Sequence, residues 1–207
     1  LHTYNQIILK PLSGHHGNEI IYIESKNNDY LIKTNEDIQM MKKMDLYNYL
    51  IKLQSQHKMI IQRYIISKTD TEEPFDFRIH VQKDGNGKWQ ITLIYPKIGY
   101  KSKIATNLGK GGKITILDKF LENIYGDEYL DVKKYLDVFA LQFANHFESL
   151  YKHKFDELGI DVGLDENKKI WIYEVNWRPG HIFLESKAAI NAIKYANFLA
   201  NQKKRED

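Results

Sequence analysis

Two alternating apolar runs that flank the turn sequence KDGNGK, within residues 74–99, constrain the fold more than any other feature of this chain. Alternation with a period of two is typical of strands with one buried face, and a glycine-rich turn between two such strands closes an antiparallel hairpin. Two further pairs of runs have the same form, at residues 18–34 around KNND and at residues 158–176 around DENKK. Three hairpins predict antiparallel sheets and argue against a parallel, doubly wound fold.

Helical periodicity occurs in three other stretches. Apolar residues recur at steps of three and four from residue 35 to residue 53, where NEDI is predicted to provide the N-cap. Residues 128–153 and 186–201 predict two more helices, and shorter runs at 6–11 and 57–65 predict strands. One face of the second helix comprises Val132, Leu136, Phe139, Phe143, Phe147 and Leu150, which we interpret as core packing. The predicted fold class is α+β, with helices packed on antiparallel sheets.

Composition excludes several classes of protein. The chain of 207 residues is 43% hydrophobic and 28% charged, as in an ordinary globular protein. Its net charge of +3, with both signs interspersed, does not favour a nucleic-acid partner. The chain has no cysteine, which excludes disulfides and thiolate zinc sites and fits the cytoplasm. No apolar run approaches the ~20 residues that span a bilayer, so no membrane partner is predicted.

The stretch WIYEVNWRPG, residues 171–180, places charged groups in an otherwise apolar strand. Because side chains alternate along a strand, Glu174, Asn176 and Arg178 are predicted on one face and Tyr173 on the other. An unpaired buried carboxylate costs several kcal/mol. A metal ion, a charged ligand or an ion pair is therefore expected to compensate it.

Asp161 lies on the preceding strand, nearly opposite Glu174. Cross-strand neighbours approach to within ~5 Å, so Asp161, Glu174 and Asn176 would form an all-oxygen cluster that suits Mg²⁺ or Mn²⁺. A buried ion pair of Glu174 with Arg178 or Arg78 is the alternative, and the strand pattern alone does not decide between the two.

The hairpin at residues 74–99 adds Arg78, His80 and Lys97. Cations in these positions would hold polyphosphate if they faced the carboxylates. Solvation of Lys97 at the end of its strand is the alternative interpretation.

Two glycine-rich loops could present backbone N–H groups to phosphate. Lys10 ends a strand before PLSGHHG, and TNLGKGG follows at residues 106–112. Neither contains the G-K-[ST] of a Walker A loop, and each could be a plain turn. His15 and His16 are neighbours in sequence, so their side chains point in different directions and a shared metal is not predicted.

In this order the segments resemble an ATP-grasp domain, from Lys10 to about Lys187. The segments that carry the resemblance are IILKPLSGHHG, IIQRYI, FDFRIHVQKDGNGKWQITLIYPKIG, TNLGKGG and ELGIDVGLDENKKIWIYEVNWRPG. They are most similar to the YheC/YheD-like endospore coat-associated branch. The resemblance implies two lobes of antiparallel sheet with packed helices and the nucleotide site between them. Residues 1–65 would form the N-terminal lobe, with lysine strand, glycine loop and adenine hinge, and residues 66–207 the C-terminal lobe with the metal site. The additional N-terminal domain usual in this family is expected to be absent, since almost nothing precedes Thr3.

The resemblance also implies three groups of site residues. The ligands of Mg²⁺ (or Mn²⁺) would be Asp161, Glu174 and Asn176. Arg78 and Lys97 would face the transferred phosphate, and Arg178 would face this phosphate or the carboxylate substrate. The ATP-binding residues would be Lys10, Ser13, Gly14, His16, Gly17, Lys33, Gln62, Arg63, Tyr64, Ile65 and Asn107. The chain departs from the family pattern at Gln62, where glutamate is usual, and at Lys97, where this branch tends to have an arginine that could contact phosphate through two nitrogens.

The implied activity is that of an ATP- and Mg²⁺-dependent carboxylate–amine (or carboxylate–thiol) ligase that works through an acylphosphate. Its partners would be ATP, a carboxylate substrate and an amine acceptor. The second hypothesis is a non-catalytic ATP-grasp-like component of the spore coat that binds nucleotide at most, and a weaker third is a kinase that stops at phosphoryl transfer. The branch likeness implies the cytoplasm or the developing spore as location, with spore coat proteins as further partners.

Overall fold

The computed structural model describes residues 3–12, 20–34, 37–100, 106, 112–181 and 184–206. These residues form two antiparallel sheets with packed helices, which confirms the α+β class. The chain divides into two compact units. One comprises Leu1–Phe75 with Ile98–Lys113, and the other comprises Asp76–Lys97 with Ile114–Asp207. The sequence-based boundary at residue 65 stays a prediction.

The first unit contains a five-stranded sheet in the order β4-β3-β2-β1-β5. Its elements are β1 (Gln6–Pro11), β2 (Ile21–Lys26), β3 (Asp29–Lys33), β4 (Ile38–Lys42), α1 (Lys43–Gln56) and β5 (Met59–Arg63). Ile7, Leu9, Ile23 and Ile32 alternate inward from three strands and form one buried cluster with Leu46 of α1. Helix α1 therefore covers one face of this sheet.

The predicted helix from residue 35 is wrong in its first part. Ile38–Lys42 is an edge strand that pairs with β3, and α1 begins only at Lys43. NEDI does not cap the helix, because Lys42 is the N-cap residue and makes no side-chain cap hydrogen bond. Ile38 and Met41 fit a helical stripe, but the residues from Ile38 to Lys42 also alternate in burial, and pairing with β3 satisfies their backbone groups.

The second unit is built on a five-stranded sheet in the order β10-β9-β6-β7-β8. Its strands are β6 (Phe75–Lys83), β7 (Trp89–Ile98), β8 (Lys113–Ile114), β9 (Glu157–Leu164) and β10 (Ile170–Asn176). Its helices are α2 (Leu117–Tyr125), α3 (Tyr129–Ser149) and α4 (Glu185–Glu206), with a 3₁₀ turn at Gly126–Glu128. All three predicted hairpins are confirmed, as β2–β3, β6–β7 and β9–β10.

Helices cover both faces of the second sheet. The Phe77 ring of β6 packs edge-on against Phe120 of α2, with 5.8 Å between ring centroids. Gln82 lies on the opposite face of β6, and its Nε2 donates a hydrogen bond of 3.2 Å to the carbonyl oxygen of Ala188 in α4. Helices α2 and α3, which contact each other, therefore lie on one side and α4 on the other. None of the helices in the described residues is long and apolar enough to cross a membrane.

Two predictions for the helices need correction. The helix predicted for residues 128–153 is shorter and comprises Tyr129–Ser149. Helix α2, which precedes it, was not predicted from the sequence. On α3 the buried residues are Val132, Leu136, Ala140 and Ala144. The three phenylalanines of the predicted stripe are half-buried and pack ring against ring, and Leu150 is exposed. The small side chains of Ala140 and Ala144 are therefore the buried ones in this part of α3, and the phenylalanines beside them are only half-buried.

Candidate functional site

The α4 side of the second sheet carries its polar residues. On β9 the buried apolar residues Leu158, Ile160 and Val162 alternate with Glu157, Gly159, Asp161 and Gly163. The register of β6 on β9 pairs Arg78 with Asp161, His80 with Gly159 and Gln82 with Glu157. Direct cross-strand partners share a face of a sheet, so this face holds charged, histidine and amide side chains beside two glycines.

Four charged side chains from β6, β7 and β9 form one network, which we call the Asp161 cluster (Asp76, Arg78, Lys97 and Asp161). Arg78 binds Asp161 through two nitrogens, Nε to Oδ1 at 2.7 Å and Nη2 to Oδ2 at 2.9 Å. Lys97 Nζ lies 2.9 Å from Asp161 Oδ1 and 2.9 Å from Asp76 Oδ1. Two cations and two carboxylates thus balance each other in a largely buried site.

The electrostatics of the Asp161 cluster follow from this pairing. Burial alone would raise the pKa of Asp161, but Lys97 and Arg78 hold it below its ordinary value. Burial would likewise lower the pKa of Lys97, but Asp76 and Asp161 raise it above its ordinary value. Asp161, Lys97 and Arg78 are therefore charged at neutral pH.

Strand β10 brings Glu174 directly opposite Asp161, as predicted, but through an irregular register. The pairing shifts between Ile172 and Glu174, which makes Tyr173 an extra residue in a β-bulge. A Cβ added to Gly163 would overlap the Tyr173 hydroxyl and lie 2.5 Å from its Cζ. Tyr173 therefore lies on the Asp161 side of the sheet, and the prediction that it faces the other side is wrong. The cause is the bulge, which interrupts simple alternation.

The side chains of β10 are open to solvent. Glu174 is exposed and Asn176 is half-buried, so the interpretation of Glu174 as a buried carboxylate that needs compensation is wrong. Arg178, just beyond the strand, is exposed and lies over the Trp177 ring at 5.0 Å from its centroid. Among the described residues no ion pair of Glu174 is found, so the alternative of a buried Glu174 ion pair does not hold there.

The donor set at this position fits Mg²⁺. Carboxylate and amide oxygens are the ligands that magnesium takes, and one or two protein carboxylates are enough for it. Arg78 and Lys97 make three hydrogen bonds to Asp161. An ionised carboxylate has about four acceptor positions, so Asp161 keeps one for a cation. Glu174 and Asn176 are accessible without rearrangement of the Asp161 cluster.

The first sheet collects several residues of the predicted nucleotide site on the face that α1 leaves open. The register places Lys33 opposite Tyr22, Tyr22 opposite Ile8 and Ile8 opposite Gln62, in one row across four strands. Lys10 follows two residues after Ile8 and therefore shares this face. Tyr64 does so too, since its ring packs edge-on against Tyr22 at 4.9 Å between centroids. Burial raises the pKa of the Tyr64 hydroxyl, so it stays protonated and able to donate.

The other predicted residues of the nucleotide site are placed differently. Arg63 pairs with the buried Ile7, so it projects from the opposite face, and it lies over the Tyr4 ring at 5.3 Å from the centroid. Ile65 is buried. The remaining five lie outside the described residues, namely Ser13, Gly14, His16, Gly17 and Asn107.

A second polar group on the α4 side of the second sheet was not predicted; we call it the histidine cluster (His80, Glu157 and His181). His181 Nε2 lies 2.7 Å from Glu157 Oε2, and His80 Nε2 lies 3.5 Å from the same oxygen. The two imidazole rings meet edge-on at 5.3 Å between centroids. Burial, with smaller contributions from His181 and Arg78, lowers the pKa of His80 to about 4. Only the register of β6 on β9 and the path of the chain after β10 bring these residues together.

Comparison with known proteins gives the family context. The chain matches the family model of YheC/D-like ATP-grasp proteins over residues 1–199. It is 29% identical to the endospore coat-associated protein YheD of Bacillus subtilis over 216 residues, which cover 97% of this chain and 47% of that protein. It is 26% identical to YheC of the same organism over 179 residues, which cover 84% of this chain and 48% of that protein. The chain therefore spans about half the length of these relatives.

Among solved structures, the fold is similar to that of N5-carboxyaminoimidazole synthetase from Staphylococcus aureus, determined in complex with ADP. The TM-score is 0.53 at 12% identity, and the match covers 93% of this chain and 41% of that one. At this identity the likeness concerns the fold alone.

Proposed function

Because the chain belongs to the YheC/D-like ATP-grasp family, we propose that it is an ATP- and Mg²⁺-dependent ligase domain that joins a carboxylate to an amine or a thiol. One observation carries the proposal. Arg78, Asp161 and Glu174 lie in register on three adjacent strands, and they bring a guanidinium and two carboxylates to one face of the second sheet. A row of this composition suits a metal-bound polyphosphate.

The metal would be held by Asp161, Glu174 and Asn176. Bound Mg²⁺ would neutralise the charge of the ATP phosphates during transfer. Asp161, fixed by Arg78 and Lys97, would give this site one rigid oxygen, while Glu174 and Asn176 would adapt to the ligand from the solvent side.

The cations of the Asp161 cluster would act on the transferred phosphate. Arg78 has five N–H donors and uses two of them on Asp161. Lys97 has three donors, and its ammonium contacts Asp76 and Asp161. Both keep donors for an anion, and the carboxylates hold them in place before any ligand arrives. Charge that is positioned in advance promotes phosphoryl transfer by electrostatic stabilisation. The proposed reaction therefore needs no side-chain nucleophile. Arg178, which is exposed, would contact the phosphate or the carboxylate substrate.

In the proposed reaction, a substrate carboxylate oxygen attacks the γ-phosphorus of ATP, and ADP leaves. The amine then attacks the carbonyl carbon of the acylphosphate, inorganic phosphate leaves, and the amine loses a proton as the amide forms. Lys10, Lys33, Gln62 and Tyr64, which share one face of the first sheet, would bind the nucleotide.

The second candidate is a non-catalytic component of the spore coat that binds nucleotide without turnover. The relatives YheD and YheC are both named endospore coat-associated proteins, which favours this candidate. Under either candidate we propose that the chain acts in a sporulating cell, in its cytoplasm or at the developing spore.

Trapping with hydroxylamine separates the two candidates. The chain is incubated with ATP, Mg²⁺, hydroxylamine and a panel of amino acids, dicarboxylates and short peptides. A ligase gives ATP-dependent hydroxamate and ADP with at least one of them, and Glu174→Gln abolishes both products. Binding of MgATP without hydroxamate across the panel favours the coat component, and formation of a stable phosphorylated product without amide would identify a kinase.

A further inference from the structure

The histidine cluster has the composition of a site for a transition metal. We propose that His80, Glu157 and His181 bind one divalent transition-metal ion, with Zn²⁺ the best fit to two imidazoles and one carboxylate. The ligand set contains two nitrogens, whereas the oxygen set at Glu174 and Asn176 suits Mg²⁺. The site is therefore separate in residues and chemistry from the proposed magnesium site.

The distances within the cluster allow a shared ion. One ligand atom from each of the three residues lies within 4.8 Å of the other two. Zn²⁺ bonds of about 2.0–2.1 Å in a tetrahedron place ligand atoms about 3.3 Å apart. His80 Nε2 and Glu157 Oε2 are already 3.5 Å apart. His181 Nε2 is 2.7 Å from the same oxygen and would have to move outward by about 0.6 Å, which its partly exposed side chain makes feasible.

His80 gives an independent reason to expect a ligand. Its side chain is fully buried, and neither ring nitrogen has a hydrogen-bond partner in the described residues. Buried polar groups in native proteins are almost always paired, and an exception needs an explanation. An ion bound at Nε2 would satisfy one of the two nitrogens. A simple ion pair between His181 and Glu157 would leave both ring nitrogens of His80 without a partner.

The groups around the cluster hold its carboxylate in place. Gln82 Nε2 donates to Glu157 Oε2 at 3.3 Å, and the side-chain oxygen of Gln82 accepts a hydrogen bond of 2.9 Å from Thr92. Hydrogen bonds of this kind orient metal ligands and raise metal affinity. The nearest cation on the same strand is Arg78, whose charge is balanced by Asp161. Because Asp161 balances the charge of Arg78, this guanidinium does not prevent a divalent cation from binding at the histidine cluster.

The cluster is also accessible. Glu157 and His181 line a cavity of about 640 Å³ beside α4, whose other walls include Lys83, Phe155, Ala188 and Tyr195. Three protein ligands would leave a fourth tetrahedral position for water or a further ligand. The cavity gives the ion a path to a ligand set that includes the buried His80.

Direct metal titration tests the site. Untagged, metal-free protein is titrated with Co²⁺, whose visible absorption distinguishes low-coordinate sites from octahedral ones, and with Zn²⁺ in competition with a chromophoric chelator. The wild type is expected to bind one ion per chain with the spectrum of a low-coordinate site. His181→Ala and Glu157→Gln are expected to bind at least about 100-fold more weakly, because each removes a direct ligand. His80→Gln removes the third ligand. Because His80 is fully buried, this variant can fail to fold, and in that case His181→Ala and Glu157→Gln decide the result.

Three controls keep the result specific. His153→Ala removes an exposed histidine and should leave binding unchanged. The double variant His15→Ala, His16→Ala tests the two histidines that are neighbours in sequence, and Glu174→Gln tests the proposed magnesium site. Loss of Zn²⁺ binding in any of these controls would assign the ion elsewhere and overturn the proposal. So would the absence of one-to-one binding in the wild type, or wild-type affinity in both His181→Ala and Glu157→Gln. Since none of these readouts uses ATP, the result is independent of the proposed ligase function.

Discussion

The Asp161 cluster and the histidine cluster lie on the same face of one sheet, and their central residues on β6, Arg78 and His80, are two positions apart. In the Asp161 cluster each charge has an opposite charge at 2.7–2.9 Å. In the histidine cluster a fully buried imidazole has no hydrogen bond from the described residues, and its nearest carboxylate oxygen is 3.5 Å away. The protein itself pairs the charges of the Asp161 cluster, while in the histidine cluster the proposed ion would give the buried His80 ring a partner at one of its two nitrogens.

Under the two proposals, this difference would let one sheet support two kinds of site. A closed ion-pair network fixes side chains and presents their remaining donors in a constant geometry, which suits repeated phosphate chemistry. An incomplete set of nitrogen and oxygen ligands suits retention of an ion. The following variants test whether the clusters differ in this way.

The largest effect is expected when the Asp161 cluster is broken. Asp161→Ala leaves the buried Arg78 without this counter-charge and removes one of the two carboxylates that contact Lys97. The free energy of unfolding should therefore fall by about 3–5 kcal/mol. Urea denaturation measures it. Asp118→Ala breaks the ion pair between Asp118, whose side chain is 54% exposed, and Lys133, whose side chain is 35% exposed. This change should cost less than about 1 kcal/mol. Equal losses in the two variants would show that the Asp161 cluster is no more than a surface ion pair.

Gly159, which lies between the two clusters, tests the close packing of this face. A Cβ at this position would lie 2.6 Å from Cβ of Pro179 and 3.2 Å from Nη1 of Arg78. Gly159→Ala should therefore destabilise the chain by about 1–3 kcal/mol. Gly180→Ala is the matched control, since nothing lies within 4 Å of its added Cβ. Thermal unfolding of both variants is sufficient, and similar melting temperatures would contradict the packing described for β9.

A third charged pair, outside both clusters, gives a reference for pH dependence. Burial alone would raise the pKa of Glu148, but Lys83, at 2.6 Å, lowers it below its ordinary value of 4.5. The ionised pair therefore stabilises the fold above this pH, and its contribution is lost as the pH falls through the lowered pKa. Glu148→Gln should cost about 1.5 kcal/mol at neutral pH, and the difference from wild type should shrink below pH 4.5. A difference that stays constant down to acid pH would contradict the ionised pair.

The smallest effect is expected in the histidine cluster without metal. His181→Ala removes one hydrogen bond to Glu157 from a side chain that is 39% exposed, so metal-free protein should lose only about 1 kcal/mol. Urea denaturation in the presence of a chelator measures this loss, and His153→Ala is the control. A loss as large as that of Asp161→Ala would show that the histidine cluster is itself a closed structural network.

The sequence predicted the parts of this face that depend on local pattern. The hairpins, the opposition of Asp161 and Glu174, and the cations on β6 and β7 follow from alternation and turn residues. Three features depend on contacts far apart in the chain and could not be predicted this way. The bulge at Tyr173 depends on Gly163 across the pair, β4 depends on an edge for it to join, and His181 meets Glu157 only through the path of the chain after β10.

Thermal unfolding with ATP, in the presence and absence of Mg²⁺, tests the central claim most directly. Ligand at ~100 times its dissociation constant adds about 2.7 kcal/mol. For a chain of this length that corresponds to roughly 5–10 °C, at ~2–4 °C per kcal/mol. We expect this shift in wild type only with ATP and Mg²⁺ together. It should persist in Glu166→Gln, an exposed residue of the β9–β10 turn, and be lost in Glu174→Gln. An equal shift in Glu174→Gln, or no shift in the wild type, would contradict the assignment of the Mg²⁺–nucleotide site.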